Sequence, residues 1–179
     1  MTTIMLRLIF PFAVATFALA TPALAQPKPG GEQPTLLGQF GDWGAYKAAP
    51  GGKTVCFALS KPTSAVTEPA GRSRDASYLF ISTRPSENVK NEVSAIVGYP
   101  QKPGADTNAA VGGDNFAMYT QSDGAWIKNA AEEAKLISSM RGGADLVLKS
   151  ESTRGTKTTD TYSLKGLAQA LDKVAEECK

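Results

Sequence analysis

The chain has 179 residues, of which 42% are hydrophobic and 20% charged, a composition typical of a globular protein that buries one sizeable core. Its net charge of +2 lacks the concentrated positive surface of a nucleic-acid-binding protein, and no run of Lys and Arg predicts attachment to an anionic membrane. The chain contains no histidine, which excludes Ser-His-Asp and Cys-His nucleophiles and every zinc site that needs imidazole.

Residues 1–25 have the pattern of a secretory signal peptide. Arg7 supplies the positive charge, an apolar run follows, and Ala23-Leu24-Ala25 forms the small-x-small pattern of a cleavage site. The apolar run has about 13 residues and is too short to cross a bilayer comfortably, which argues against an uncleaved anchor. We therefore expect cleavage after Ala25, no stable membrane insertion of the mature protein, and a periplasmic, secreted or cell-surface location.

Residues 26–37 are rich in proline, glycine and polar residues and indicate a flexible leader, so we expect a single domain over 38–179. Within that domain, short runs of alternating, β-branched or aromatic residues predict strands, separated by turn-forming residues. The predicted strands are 38–48, 53–60, 77–83, 92–99, 109–111, 116–121, 125–127, 144–150 and 156–162. Segment 61–75, with its prolines and glycine, is expected to be a loop.

Two helices are predicted in the second half of the chain. Asn129 and Glu132 form a capping-box pattern at the start of the first helix, and Gly142-Gly143 ends it. The second helix covers 164–178, with Ser163 as its expected N-cap. The expected apolar faces are Ala134, Ile137 and Met140 in the first, and Leu164, Leu167, Ala168, Leu171, Val174, Ala175 and Cys178 in the second.

These elements predict a mainly β fold. Short strands with turns at this spacing favour a β-sandwich or a partly closed barrel of about seven to nine short strands. Two short helices complete the domain, the last of them C-terminal, and at least one is expected to pack on the sheet or across its end.

Two cysteines, Cys56 and Cys178, remain in the mature chain. Export would place them where disulfides persist, and two sulfurs allow one intramolecular pairing. Cys56 lies in a predicted strand, and Cys178 lies on the apolar stripe of the last helix. We expect a disulfide between them. An intermolecular bridge or a redox pair is the alternative, although the Cys-x-x-Cys spacing typical of a redox pair is missing.

Residues capable of catalysis are few. Asp114 and Asp123 fall in predicted turns, where aspartate commonly bonds its own backbone. Ser60-Lys61 and Ser163 with Lys165 lack the Ser-x-x-Lys spacing of a catalytic dyad. Segment 106–114 lacks the ligand pattern of a helical calcium loop. We expect a protein that is not an enzyme and has no cofactor and no metal, with a hydrolase built from converging carboxylates as the remaining alternative.

Four residues are candidates for binding. Trp43 and Trp126 can stack on sugar rings or anchor a protein interface, although tryptophan packs more often in or beside a core. Arg74 and Arg84 belong, with Arg72, to a local basic cluster. The cluster is either a solvated loop or a contact for an anion or a protein.

Six stretches in a fixed order resemble the invasion-associated locus B family of exported bacterial proteins. They are 40–46 (FGDWGAY), 53–61 (KTVCFALSK), 78–85 (YLFISTRP), 91–100 (NEVSAIVGYP), 124–133 (GAWIKNAAEE) and 158–178, which contains TDTYSLKGLAQAL and the last cysteine. The resemblance covers essentially the whole expected domain.

The resemblance implies an exported periplasmic or surface-associated protein, in a family named for entry into host cells and present also in bacteria that invade nothing. It implies no catalytic motif, and it carries over Cys56 and Cys178. We expect a non-enzymatic protein that binds an unknown protein or envelope component, with host-cell interaction as one setting. A glycan or small-ligand binding module that uses exposed tryptophans is the alternative.

Overall fold

The computed structural model describes residues 33–179, so the expected signal peptide and most of the expected leader lie outside the described residues. The fold is mainly β, as predicted, with two α-helices, α1 (Ala130–Gly142) and α2 (Leu167–Glu177). The strands are β1 (Thr35–Phe40), β2 (Trp43–Ala48), β3 (Val55–Ser60), β4 (Ser64–Glu68), β5 (Tyr78–Arg84), β6 (Val89–Ile96), β7 (Thr107–Val111), β8 (Asp114–Gln121), β9 (Gly124–Ile127), β10 (Asp145–Glu151) and β11 (Lys157–Ser163).

The strands form one antiparallel sheet in the order β1-β2-β3-β5-β6-β9-β8-β7-β10-β11-β4. Only residues 61–63 join β3 to β4, although the two strands lie far apart in this order. Three residues span at most about 11 Å, roughly the separation of two or three neighbouring strands. The sheet must therefore curl back on itself, and Thr63 N–H donates to Thr161 O at 2.8 Å near the point of return. The result is sandwich-like and not closed.

The structure has more strands than predicted, and the two unexpected strands are the edges of the sheet. β1 begins inside the expected leader and is separated by a turn from β2, where one strand was predicted. β4 lies in the segment predicted as a loop. Both strands are largely exposed on both faces, so their sequences carry no alternation of apolar and polar residues. Pairing to a neighbour, and not burial, defines them.

The core fills the inside of the curl. Alternate residues of the central strands point inward, as in β5, where Leu79 and Ile81 are fully buried. The helices add the buried residues Leu136, Ile137 and Met140 from α1, and Leu167, Ala170, Leu171 and Val174 from α2. Ala134 and Ala175, which were assigned to the apolar stripes, are exposed.

The N-cap prediction is confirmed for one helix and wrong for the other. The Asn129 side chain accepts the Glu132 N–H at 2.9 Å, as expected. Ser163, however, ends β11 opposite Asp145, and α2 starts after Gly166. A side chain at Gly166 would place Cβ 1.8 Å from the Phe40 carbonyl oxygen, so close approach of α2 to β1 needs glycine there.

The disulfide between Cys56 and Cys178 is confirmed, with Cα atoms 5.9 Å apart. Cys56 lies on the inner face of β3 and Cys178 follows α2, and both are buried in the core. The bond therefore clamps the C-terminal helix against the inside of the sheet. Both cysteines of the chain are used.

Loss of this bond should destabilise the domain strongly. The Cys56→Ala/Cys178→Ala double variant removes a cross-link of sequence separation 122. The chain-entropy model gives about 5 kcal/mol for a loop of this length. Urea unfolding of the oxidised protein with and without dithiothreitol should reproduce the loss. The double variant is the control, because reductant should not move its midpoint. Equal midpoints for oxidised and reduced wild type would contradict the expectation.

Candidate functional site

A buried ion pair lies inside the curl. Asp160 of β11 is 1% exposed, and Arg74 donates to both of its carboxylate oxygens, with one nitrogen 2.8 Å from Oδ2. The same nitrogen donates to Val97 O at 2.9 Å. Ser77 donates to Asp160 Oδ2 at 2.9 Å and lies 2.5 Å from the Tyr162 hydroxyl oxygen. The carboxylate is therefore fully hydrogen-bonded.

The chain brings Arg74 to this position by folding the β4–β5 loop over the end of β6. Asp75 N–H donates to Gly98 O at 3.1 Å. Gly98 has φ +77°, and a Cβ there would lie 2.2 Å from Asp75 O, so only glycine permits the contact. The Tyr99 ring then lies 6.0 Å from the Arg74 guanidinium, within reach of a cation–π interaction.

The protonation states of this cluster are those of a structural network. Burial opposes the Arg74 charge, but the hydrogen bond and the charge of Asp160 outweigh it and raise the pKa of Arg74. Burial raises the pKa of Tyr162, partly offset by its hydrogen bond with Ser77, and burial also raises the pKa of Tyr99. At neutral pH the arginine is charged and both phenols are neutral. Neither this arginine nor the two phenols are poised to exchange a proton near pH 7.

A second set of charged groups lies on β5 and β6 and at the contact between β6 and α1. Arg84 donates to Glu92 and Glu87, each at 2.8 Å, and the hydrogen bond to Glu92 is the main reason why its pKa is raised. Glu133 of α1 accepts the Val93 N–H at 2.7 Å, and burial raises its pKa. The two carboxylates of Glu92 and Glu133 therefore already have structural partners. This does not favour the carboxylate-hydrolase alternative.

Arg74 and Arg84, predicted as binding residues, both have their charges paired with acids of the same chain. The acid paired with Arg74 comes from the distant strand β11, so no local pattern reveals it, whereas the acids paired with Arg84 lie three and eight residues further along the chain. Arg72, their neighbour in the predicted basic cluster, is exposed.

The two tryptophans differ in their exposure to solvent. Trp43 is 0% exposed, and its indole N–H donates to Ser163 O at 2.9 Å, so its ring contributes to the core and not to a binding surface. Trp126 lies half-buried on the outer face of β9 and stacks on Tyr119, with ring centroids 5.7 Å apart. Of the two predicted stacking residues, Trp126 alone reaches solvent.

An aromatic row crosses the outer face of the sheet, which sequence analysis did not identify. Tyr46 and Phe57 stack at 5.3 Å, and Phe80 follows at 6.0 Å and Tyr78 at 6.1 Å between ring centroids. Ile96, opposite Tyr78, continues the row toward Trp126 and Tyr119. We call the six rings, Tyr46, Phe57, Phe80, Tyr78, Trp126 and Tyr119, the outer aromatic row.

The outer aromatic row is half-buried apart from Tyr119, which is 44% exposed. Both described helices pack against the inner face, so neither covers it. The Trp126 ring lies across Gly124, within 2.2 Å of where a Cβ would stand. The sequence does carry a signal for this row. In strands such as β5, with its run YLFI, the residues that point to both faces of the sheet are apolar.

Within the described residues, neither a Ser60–Lys61 dyad nor a metal centre is assembled. Ser60 is buried and donates to Asp42 O at 2.8 Å, while Lys61 Nζ lies 5.6 Å from the Tyr78 ring centre, so the two do not form a dyad. Within 33–179, no three Asp, Glu or Cys side chains are grouped to hold a metal ion. Neither α1 nor α2 is long and apolar enough to cross a membrane.

Comparison with known proteins supplies the family. A family model described as Invasion associated locus B (IalB) protein matches residues 47–175, from within β2 to within α2. The chain belongs to the invasion-associated locus B family. The resemblance noted in the sequence is thereby confirmed, although 40–46 and Cys178 lie outside the matched residues. No curated protein and no solved structure matches the chain.

Two properties of the IalB family bear on this protein. Proteins of this family are exported, and the Cys56–Cys178 disulfide is consistent with an oxidising compartment outside the cytoplasm. The family is not a known enzyme family.

The buried ion pair should matter far more for stability than the surface pair. Asp160→Asn leaves the Arg74 charge without its partner in the interior and should cost about 3–5 kcal/mol. Glu92→Gln, the matched control, weakens the partly exposed Arg84 pair and should cost less than about 1 kcal/mol. Chemical unfolding of both variants measures the difference. Equal losses would show that the Arg74–Asp160 pair does not hold the interior together.

Proposed function

We propose that this IalB protein is an exported, non-enzymatic binding protein of the periplasm or cell surface. Its outer aromatic row would contact another protein or a component of the cell envelope. The observation that carries this proposal is the row itself, whose rings lie on β2, β3, β5, β9 and β8, with Ile96 of β6 between the two groups, on the face opposite both helices.

The chemistry of the row suits a binding surface. Contiguous apolar surface on an exported monomer is typical of interaction sites, and aromatic residues contribute most to such interfaces. Within each of its two groups, Tyr46–Phe57–Phe80–Tyr78 and Trp126–Tyr119, the rings already pack on one another, at centroid distances of 5.3–6.1 Å. Their side-chain entropy is therefore largely lost before a partner arrives, which favours association.

The absence of an assembled catalytic centre among residues 33–179 supports the non-enzymatic part of the proposal. The buried acid is paired with arginine, and Glu133 bonds a backbone N–H. The family name refers to invasion, which makes a host-cell component one candidate partner.

Position-specific crosslinking tests where the partner binds. Benzoylphenylalanine placed at Phe57 or at Phe80 in the exporting bacterium should give one ultraviolet-dependent adduct of the same mass. The matched control is Lys149, which is exposed on β10 away from the row. Adducts of the same yield at Lys149, or none at the two row positions, would contradict the proposal.

Affinity for the crosslinked partner gives the quantitative test. Phe57→Thr keeps a residue suited to a strand and removes the ring, so the fold should be retained while affinity falls by at least about tenfold. Lys149→Thr should leave the affinity unchanged. Circular dichroism and thermal unfolding establish that both variants fold.

A second candidate function is glycan binding by the Trp126–Tyr119 pair. Stacked, partly exposed rings 5.7 Å apart offer an apolar platform of the kind that sugar rings contact. This candidate involves one end of the outer aromatic row and not its whole length.

Tryptophan fluorescence tests this candidate directly. Because Trp43 is fully buried, a spectral change on addition of envelope polysaccharide fragments should come from Trp126. Saturable quenching or a blue shift is expected in the wild type, and Trp126→Phe should abolish it. A wild-type spectrum that the fragments leave unchanged would exclude glycan binding at this pair.

A further inference from the structure

A small cationic cleft lies at the end of the β11–β4 strand pair, apart from the outer aromatic row. Its volume is about 200 Å³. The cleft is lined by Thr67, Arg72, Ser73, Arg74, Tyr99 and Pro100 on one side and by Ser152, Thr153, Arg154, Thr156 and Thr158 on the other. Pockets for drug-sized ligands begin at about 300 Å³, so this cleft suits a compact group.

The charge of the cleft is positive. It is lined by three arginines and by no aspartate or glutamate. The buried carboxylate of Asp160 neutralises Arg74. The positive charge of the cleft therefore comes from Arg72 and Arg154. Both are exposed, and neither forms an ion pair with an acidic residue of the described chain. Two acids, Glu68 and Glu151, lie near this end of the strands, each opposite Lys157 in the register, and Glu151 also forms an ion pair with Lys102.

Two hydrogen-bonded turns hold the arginines on opposite sides. Arg72 N–H donates to Thr67 Oγ1 at 3.2 Å, which ties its loop to β4. Arg154 N–H and Thr156 N–H both donate to Ser152 Oγ, at 3.3 and 3.0 Å, in the turn between β10 and β11. Since β11 pairs with β4, with Thr158 opposite Thr67, both turns lie at the same end of the strand pair.

The floor of the cleft adds hydroxyl donors. Ser152 is 8% exposed, and its oxygen accepts the two backbone N–H groups of its own turn. Ser152 lines the cleft, and its hydroxyl donates no hydrogen bond to another described residue. Ser73, Thr153 and Thr156 supply further hydroxyls. Guanidinium forks with several hydroxyl donors from different directions match a tetrahedral oxyanion, whereas a planar carboxylate would use fewer of them.

We propose that this cleft binds the phosphate group of a phosphomonoester. The group belongs either to a soluble molecule or to the headgroup of an anionic lipid in the envelope, and the recognition chemistry is the same for both. The proposal goes beyond the binding role assigned to the outer aromatic row and does not depend on it, because the two surfaces share no residue.

Titration of the purified mature protein with inorganic phosphate tests the site. Amide resonances of Ser73 and Thr153 should shift saturably, and acetate at the same ionic strength should bind much more weakly. Arg72→Gln and Arg154→Gln should each weaken phosphate binding by about tenfold or more, as expected for one lost charge-assisted contact. Both side chains are exposed, so the variants should keep the wild-type unfolding temperature.

Lys90→Gln is the matched control, because it removes one positive charge from an exposed residue elsewhere on the sheet. An equal loss of phosphate affinity in this variant would mean that binding follows overall charge, and it would overturn the proposal. No saturable shift in the wild type, or equal binding of acetate, would overturn it as well.

Vesicles distinguish the two sources of the phosphate group. Sedimentation with phosphatidylcholine vesicles containing phosphatidic acid, lost in Arg72→Gln, would assign the site to a lipid headgroup. Binding of inorganic phosphate without such sedimentation would assign it to a soluble phosphomonoester. Phosphatidylglycerol is also anionic, but its phosphate is a diester. Equal sedimentation with phosphatidylglycerol vesicles would therefore refute recognition of a phosphomonoester.

Discussion

The buried ion pair between Arg74 and Asp160 joins parts of the sheet that are far apart in strand order. Asp160 comes from β11, next to one edge, and Arg74 leads into β5 near the middle of the other half. A charge pair of this kind is not in itself strongly stabilising, because both charges lose their hydration. Its effect is geometric, since a buried carboxylate without its arginine is so unfavourable that alternative curvatures of the sheet are disfavoured. The indole N–H of Trp43 makes a similar link from β2 to the end of β11.

This closed interior determines what the rest of the chain can do. Both helices enter the same core, and the disulfide fixes α2 to β3 from within. The inner groups capable of chemistry are thereby satisfied by one another. What is left for recognition is the outer surface, where aromatic rings pack sideways on their neighbours and keep part of their area in water. This exposed aromatic area is the basis of the binding function proposed above.

The two surfaces proposed for recognition differ in chemistry. The outer aromatic row is broad and apolar and belongs to the rigid central strands. The cationic cleft is small and polar and belongs to turns that the β11–β4 pairing holds side by side. An envelope protein with both can contact a partner through one surface and an anionic group through the other.

Properties that depend on local pattern could be read from the amino-acid sequence. Alternation in the central strands predicted the mainly β class, and two cysteines in a chain expected to be exported predicted the disulfide. The order of six stretches gave the resemblance to the IalB family, which the family model confirms. Tertiary structure decided everything that depends on partners distant in the chain. It made strands of β1 and β4 through pairing alone and buried Trp43 while leaving Trp126 at the surface. It also neutralised Arg74 with Asp160 of β11 and placed Arg72 and Arg154 on the same cleft, because a charge is free or paired according to what the fold brings next to it.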